Sequence, residues 1–269
     1  MSPDLNLPGP ESGYIATFGS GEPHTLLGHG FAGAIRDTRP FGTGISGTRH
    51  FLHLPGHGGR PSPGPGWTYP QIGRVLAEAV ETTSASRALG VSMSAGGLLH
   101  LLSTAHPTVR GLEKVALVLP ASFTGFPAEV ATANRSYLEQ LRGLVADEDI
   151  DGIVDLMLSR EPAEVAQMLP ARAWTKAKAE NLIGTDMSDG LGLALETAVD
   201  DTAVAAENLR AFPGEILILT HEDDSAHPVA IAEGIHRAIP NSRLEVLPAG
   251  SILWRGRHEV RRILGEFFG

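Results

Sequence analysis

The sequence contains no cysteine in its 269 residues. Disulfide bonds and thiolate metal sites are therefore excluded, and so is a disulfide-stabilised extracellular scaffold. No apolar run approaches the ~20 residues that a membrane-spanning helix needs. The first residues, MSPDLNLPGPESG, lack the basic and apolar regions of a secretory signal. We therefore expect a cytoplasmic protein that makes no contact with a membrane.

Positive charge is also scarce. The chain carries 21 Lys and Arg residues against 31 Asp and Glu residues, for a formal net charge of −10. No dense run of basic residues occurs, which argues against binding of nucleic acid. Hydrophobic residues make up 42% of the chain, enough for a sizeable core. The composition is typical of a globular protein.

Short β-rich runs alternate with segments that have apolar residues at helical spacing. The predicted strands fall near 14–18, 24–28, 50–54, 87–93, 114–120, 215–220 and 243–248, and the predicted helices near 69–83, 96–105, 227–239 and 257–268. Several of these strands are apolar on both faces, as in a parallel sheet that helices cover on both sides. The pattern predicts an α/β fold with a doubly wound, mostly parallel sheet.

The alternation fails between residues 125 and 209. This segment contains helix-like pieces such as NRSYLEQLRGLVA and DIDGIVDLMLSR, and no convincing strand. We interpret residues 125–209 as a helical insertion, and residues 1–124 and 210–269 as the α/β core into which it is inserted.

The stretch GVSMSAGG, at 90–97, connects a predicted strand to a predicted helix. A nucleophilic serine on such a sharp turn requires small residues two positions before and after it, because the turn brings them together. Both Ser92 and Ser94 meet this rule. Ser94 is favoured, because it leaves RALGVSM as the strand and places Gly96 and Gly97 where a helix would pack tightly on the sheet. Ser92 remains the alternative.

Three further motifs each follow or include a predicted strand: TLLGHGFAG at 25–33, FLHLPGHGGRPSP at 51–63 and LTHEDDSAHP at 219–228. Together with the serine turn, they resemble the α/β-hydrolase superfamily in its lid-bearing esterase, lipase and carbon–carbon hydrolase branches. The resemblance implies an α/β-hydrolase fold with 125–209 as a helical cap, and a small-molecule substrate or ligand in a pocket beneath it. It also implies an oxyanion hole made by the backbone N–H groups of Phe31 and Ala95.

The same resemblance places the catalytic acid after a late strand, at Asp224, with Asp223 as the alternative. The base would follow the last strand in a stretch resembling Pro-x-Gly-His, but the sequence reads Pro-Ala-Gly-Ser and places Ser251 there. A serine hydroxyl cannot serve as a general base near neutral pH. The substitutes considered are His221 and His227, which flank Asp224, and His258 at the start of the last helix.

Two other motifs are rejected. GTGISG at 42–47 matches a dinucleotide-binding pattern in letters, but a strand follows it where a helix is needed. His50, His53 and His57 have ligand-like intervals, yet His50 and His53 would point to opposite faces of a strand. We therefore predict neither a cofactor nor a metal.

Three functional hypotheses remain open. The chain could be a serine hydrolase of an ester, thioester or related carbonyl compound, with activity impaired or rerouted by Ser251. It could be a non-hydrolytic member that binds a small molecule, or templates its reaction, under the lid. It could also be a variant of a competent hydrolase in which histidine was replaced by serine to trap a complex. The oligomeric state is left open.

Overall fold

The computed structural model describes residues 14–61, 67–120, 123, 128–183, 204 and 206–269. The side chains at 130, 131, 206 and 251 are outside this description. No helix in the described ranges is long and apolar enough to cross a membrane.

A single seven-stranded sheet forms the centre of the described chain. In chain order its strands are β1 (Ile15–Phe18), β2 (His24–Gly28), β3 (Thr48–Leu52), β4 (Arg87–Val91), β5 (Lys114–Val118), β6 (Glu215–His221) and β7 (Arg243–Leu247). Their spatial order is β1-β3-β2-β4-β5-β6-β7. Only the edge pair β1–β3 is antiparallel among these strands, and every other neighbouring pair is parallel. The predicted doubly wound, mostly parallel α/β sheet is confirmed.

Helices cover both faces of this sheet. They are α1 (Ile35–Thr38), α2 (Tyr69–Thr83), α3 (Met93–Leu102), α4 (Ala128–Ala146), α5 (Ile150–Leu158), α6 (Ala163–Ala166), α7 (Leu169–Ile183), α8 (Ala206–Leu209), α9 (Val229–Ala238) and α10 (Arg257–Phe268). A short 3-10 helix covers Pro107–Gly111 and a π-helical turn covers Ser251–Arg255. Thr68 precedes α2, and its backbone N–H donates to Gln71 Oε1 at 2.6 Å, which satisfies a donor at the helix start.

Alternation along the strands explains why the sheet is covered on both sides. Leu26 and Ile218 face a core that α2, α3 and α9 complete, whereas the adjacent Leu27 and Leu219 face a second core against α10. Successive side chains on a strand point to opposite faces, so strands with apolar residues at consecutive positions must be buried on both. This packing fixes the carboxyl ends of β2, β4 and β6 at one edge, where the loops of the site begin.

The described residues from 128 to 183 are helical and contribute no strand to the sheet. Helices α4, α5 and α7 form their own apolar cluster around Leu141, Ile153 and Leu182, which also contacts Phe31 and Ala32 of the core. We call α4–α7 the lid. The predicted boundary at 125 and residues 184–203 and 205 lie outside the described residues, so the domain division stays a prediction.

Candidate active site

Ser92, and not Ser94, occupies the sharp turn between β4 and α3. Its backbone has φ 50° and ψ −104°, a conformation that residues other than glycine rarely adopt. Gly90 makes the turn possible, because a Cβ atom there would lie 2.6 Å from the backbone nitrogen of Ala95. Ser92 is partly exposed, so the turn presents its hydroxyl to the cavity described below.

The preference for Ser94 is therefore wrong for the position of the turn. Ser94 lies inside α3, is fully buried, and donates from Oγ to the backbone oxygen of His29 at 2.6 Å. It is the small residue two positions after the turn, and it packs against Gly28, where a Cβ atom would come within 2.5 Å of Ser94 Oγ. Ser94 therefore joins the turn to the loop after β2.

The hydroxyl of Ser92 has a histidine partner. Ser92 Oγ lies 2.9 Å from Nε2 of His227, and Nδ1 of His227 lies 2.8 Å from Oδ2 of Asp224. Since the carboxylate can only accept, Nδ1 of His227 donates to it, and in the singly protonated imidazole Nε2 is then the acceptor for Ser92. A serine, an imidazole and a carboxylate are thus connected in line.

Asp224 and His227 come from one loop, three residues apart, after β6. Oδ1 of Asp224 accepts backbone N–H bonds from Ala226 at 2.8 Å and His227 at 3.0 Å. These local bonds fold the loop around the carboxylate and leave Oδ2 for the imidazole. The conformation of the loop is therefore determined by hydrogen bonds within it, and it ends at Pro228, directly before α9.

A second histidine also faces Asp224. His221, at the end of β6, donates from Nδ1 to the backbone oxygen of Glu222 at 2.7 Å, and its Nε2 lies 3.4 Å from Oδ2 of Asp224. Burial alone would raise the pKa of Asp224, but His227 and the hydrogen bonds from both histidines lower it well below its ordinary range. Asp224 therefore stays ionised.

The loop after β2 carries Phe31 and is held by two neutral histidines. His29 Nε2 accepts from the backbone N–H of Leu54 at 3.0 Å, and His57 Nε2 accepts from that of Ala32 at 3.1 Å. Burial lowers the pKa of His57 to about 4 and that of His29 well below its ordinary value, so both can accept at neutral pH. Phe31 lines the cavity beside Ser92.

The expectation that Ala95 supplies an oxyanion amide is tied to Ser94 as the nucleophile, because Ala95 directly follows that serine. Ala95 is fully buried within α3. The residue after the turn is Met93, the first residue of α3, whose N–H has no carbonyl four residues earlier in the helix to accept it. The first turn of a helix is a favourable place for developing negative charge.

Ser92 and His227 open into a cavity of about 330 Å³ between the core and the lid. Helices α4, α5 and α7 supply one wall, and the loops after β2, β4 and β6 supply the other. Apolar lid residues include Tyr137, Leu141 and Trp174, and the charged groups include Lys178 on α7. A cavity of this size suits a small molecule.

The remaining predicted site residues lie elsewhere. Ser251 begins the π-helical turn after β7, and its side chain is outside the described residues. His258 is exposed in the first turn of α10 and does not line the cavity. Asp223 is exposed, with φ 60°. Residues 42–47 form a loop between α1 and β3.

No group of three or more His, Asp or Glu side chains suited to a metal ion occurs among the described residues. His50 instead contacts Thr17 Oγ1 at 3.0 Å and His24 Nδ1 at 3.2 Å. His53, His57 and His29 cluster beside the loop after β2, where the hydrogen bonds of His29 and His57 are structural.

No protein-family model matches the sequence, and no curated protein sequence matches it significantly. Solved structures do match. An esterase from Exiguobacterium antarcticum has a TM-score of 0.74 at 18% identity, over 95% of this chain and 94% of its own. An enol-lactonase from Burkholderia xenovorans has a TM-score of 0.73 at 19% identity, over 94% and 95%. The chain has the α/β-hydrolase fold. A meta-cleavage product hydrolase from Pseudomonas fluorescens, with a TM-score of 0.74 at 14% identity over 94% and 93%, shares that α/β-hydrolase architecture.

Proposed function

We propose that this protein is a serine hydrolase of carboxylic esters or closely related acyl compounds, with Ser92 as nucleophile, His227 as general base and Asp224 as the acid that orients it. The observation that carries the proposal is the contact of 2.9 Å between Ser92 Oγ and His227 Nε2 at a turn of positive φ. A serine can form a hydrogen bond without a strained backbone. A strained turn of this kind is instead typical of a nucleophilic serine, because the turn exposes the hydroxyl to the substrate.

In the first half-reaction, Ser92 Oγ attacks the substrate carbonyl and passes its proton to His227 Nε2. The negative charge that develops on the carbonyl oxygen is stabilised by the backbone N–H groups of Phe31 and Met93. Asp224 stabilises the imidazolium cation through the bond to Nδ1. When the carbon–oxygen bond to the leaving group breaks, His227 returns the proton to the departing alkoxide and an acyl-Ser92 ester remains.

In the second half-reaction, water takes the place of the alcohol. His227 accepts a proton from water as its oxygen attacks the acyl carbon, and the acid product leaves as the proton returns to Ser92 Oγ. Ser251 has no part in these steps. In this proposal Ser251 does not impair the activity. Neither the non-hydrolytic hypothesis nor the trapping hypothesis is then needed to explain why a serine stands at position 251.

The test compares Ser92→Ala with Ser94→Ala in the hydrolysis of p-nitrophenyl acetate. Ser92→Ala should lower kcat by on the order of 10⁴–10⁶, because it removes the nucleophile. Ser94→Ala should keep kcat within about tenfold of the parent, because it removes only one buried hydrogen bond to His29. Loss of activity in Ser94→Ala alone, with both variants folded, would contradict the proposal. An inactive parent protein on a broad panel of activated esters would also contradict it.

A further inference from the structure

Helix α7 brings an ammonium group into the cavity that contains Ser92. Trp174 and Thr175 precede Lys178 by four and three residues, so both lie beside it on one face of the helix. All three line the cavity. Lys176, on another face, is exposed. Lys178 is half-buried there, which separates it from the freely solvated lysines that cover most protein surfaces.

The ammonium group of Lys178 has no carboxylate in an ion pair with it among the residues that the structure describes. Nζ lies 5.2 Å from the centroid of the Trp174 ring. Asp37 and Glu161 both favour the charged form of Lys178 electrostatically, but neither forms an ion pair with it. A partly buried cation without a paired anion is costly, and that cost is relieved when a ligand supplies the anion.

Two acidic residues near Lys178, Asp37 and Glu161, also line the cavity. Oδ2 of Asp37 accepts the backbone N–H of Ala34 at 2.8 Å, and Oδ1 lies 3.6 Å from Nε of Arg36. Burial, followed by the charge of Asp224, raises the pKa of Glu161 and so disfavours its ionised form. Neither carboxyl forms an ion pair with Lys178, so a ligand anion in contact with Nζ would be its first close carboxylate partner among the described residues.

Arg160, the other lysine or arginine among the described residues that line the cavity, is held by neighbouring side chains. Arg160 donates from Nη2 to Asn134 Oδ1 at 2.9 Å, and its guanidinium lies 3.6 Å from the centroid of the Tyr137 ring. Both contacts hold it against α4. Among the described lining residues, Lys178 is thus the lysine or arginine without a hydrogen bond or ion pair to another described residue, and Phe31 of the loop after β2 lines the same cavity.

We infer that Lys178 binds a carboxylate of the substrate, so that the natural substrate is an ester or lactone whose acyl part carries a second, ionised carboxyl group. This inference rests on the proposed function of Ser92. The apolar wall of Tyr137, Leu141 and Trp174 would contact the carbon chain between the two carboxyl groups. One end of the substrate is then held by charge while the other meets Ser92.

The first experiment compares two substrates that differ only in that anion: monoethyl glutarate and ethyl pentanoate, followed by pH-stat titration. The parent protein should have the higher kcat/KM for monoethyl glutarate. Lys178→Met should lower the ratio of the two kcat/KM values by about 10- to 100-fold, the usual effect of losing a hydrogen bond to a charged group. Lys178→Arg should keep part of the preference. Lys176→Met, on the exposed face of the same helix, should leave the ratio unchanged.

The second experiment measures binding without turnover. Isothermal titration calorimetry of glutarate with Ser92→Ala should show binding at the cavity, and Ser92→Ala/Lys178→Met should show weakening of about 10- to 100-fold. Glutarate binding that depends on Lys178, in a protein that hydrolyses no ester, would support carboxylate binding at Lys178, but it would overturn the proposed hydrolase and with it the ester substrate.

Ester hydrolysis without a preference for monoethyl glutarate, and without glutarate binding, would overturn the inference and leave the hydrolase intact. An equal loss for both ethyl esters in Lys178→Met would also overturn it, because Lys178 would then act on the reacting groups. Should Lys178→Met fail to fold, the parent protein still decides: preference for ethyl pentanoate and no glutarate binding contradicts the inference.

Discussion

Replacing His227 with glutamine tests the base directly. Glutamine can keep a polar contact with Ser92 or with Asp224, but its amide cannot accept a proton near neutral pH. The two contacts of His227, 2.9 Å to Ser92 Oγ and 2.8 Å to Asp224 Oδ2, would then lose the group that connects them. The variant keeps the nucleophile and the backbone amides, so it removes proton transfer and little else.

The expected loss follows from what the imidazole does in both half-reactions. Loss of the base from a serine–histidine–aspartate set costs on the order of 10⁴–10⁶ in kcat, which corresponds to roughly 5–8 kcal/mol of transition-state stabilisation at 1.36 kcal/mol per tenfold. KM should change little, because His227 contributes proton transfer more than binding. Steady-state hydrolysis of p-nitrophenyl acetate by the purified parent and His227→Gln gives both constants.

The matched control is His258→Gln, which changes an exposed histidine in α10 that does not line the cavity. It should leave kcat unchanged. The reasoning is refuted if His227→Gln retains a tenth or more of the parent kcat while folded. It is equally refuted if His258→Gln abolishes hydrolysis, since the base would then be the histidine that the structure leaves in solvent.

Two further changes follow from the same contacts. Asp224→Asn should lower kcat for ester hydrolysis by about 10⁴. The backbone N–H groups of Ala226 and His227 would keep the side-chain oxygen in its place, so the amide nitrogen would donate to Nδ1 of His227. The imidazole would then carry its proton on Nε2, where it cannot accept from Ser92. Ser251→His should leave the same kcat within about threefold, because the base position is already filled; a gain of several orders of magnitude would mean that His227 is not the base in the parent protein.

The fold could be predicted from the sequence because its signals are local. Strands such as β5 are apolar at consecutive positions, and α2 has apolar residues at helical spacing. The buried faces of each element can therefore be predicted from its own residues alone. Their order then allows few topologies. The helical character of the lid was equally readable from α4 and α5.

The site was harder to predict because several of its features depend on three-dimensional register. Small residues surround both Ser92 and Ser94, so the spacing rule could not separate them; only the end of β4 at Val91 does. The family resemblance puts the base after β7, at Ser251, and leaves His227, three residues after Asp224 in the preceding loop, as one of three possible substitutes. The signal was the pairing of Asp224 with a histidine before Pro228, and its meaning depends on how that loop folds back toward β4.

Lys178 carried no signal in the sequence. It is one of two nearby lysines in a helix with weak apolar periodicity, and only the packing of α7 over the cavity separates it from the exposed Lys176. Burial and the absence of a paired carboxylate are properties of the folded lid, and no local pattern encodes them.

The central claim is that Ser92 is the nucleophile, and covalent labelling measures this most directly. The protein is incubated with a fluorophosphonate, which phosphonylates an activated serine, and the modified peptide is identified by tandem mass spectrometry. The account predicts one adduct per chain, on Ser92, which is absent in Ser92→Ala and slowed by orders of magnitude in His227→Gln. An adduct on Ser94 would contradict it, as would a parent protein that remains unlabelled while folded.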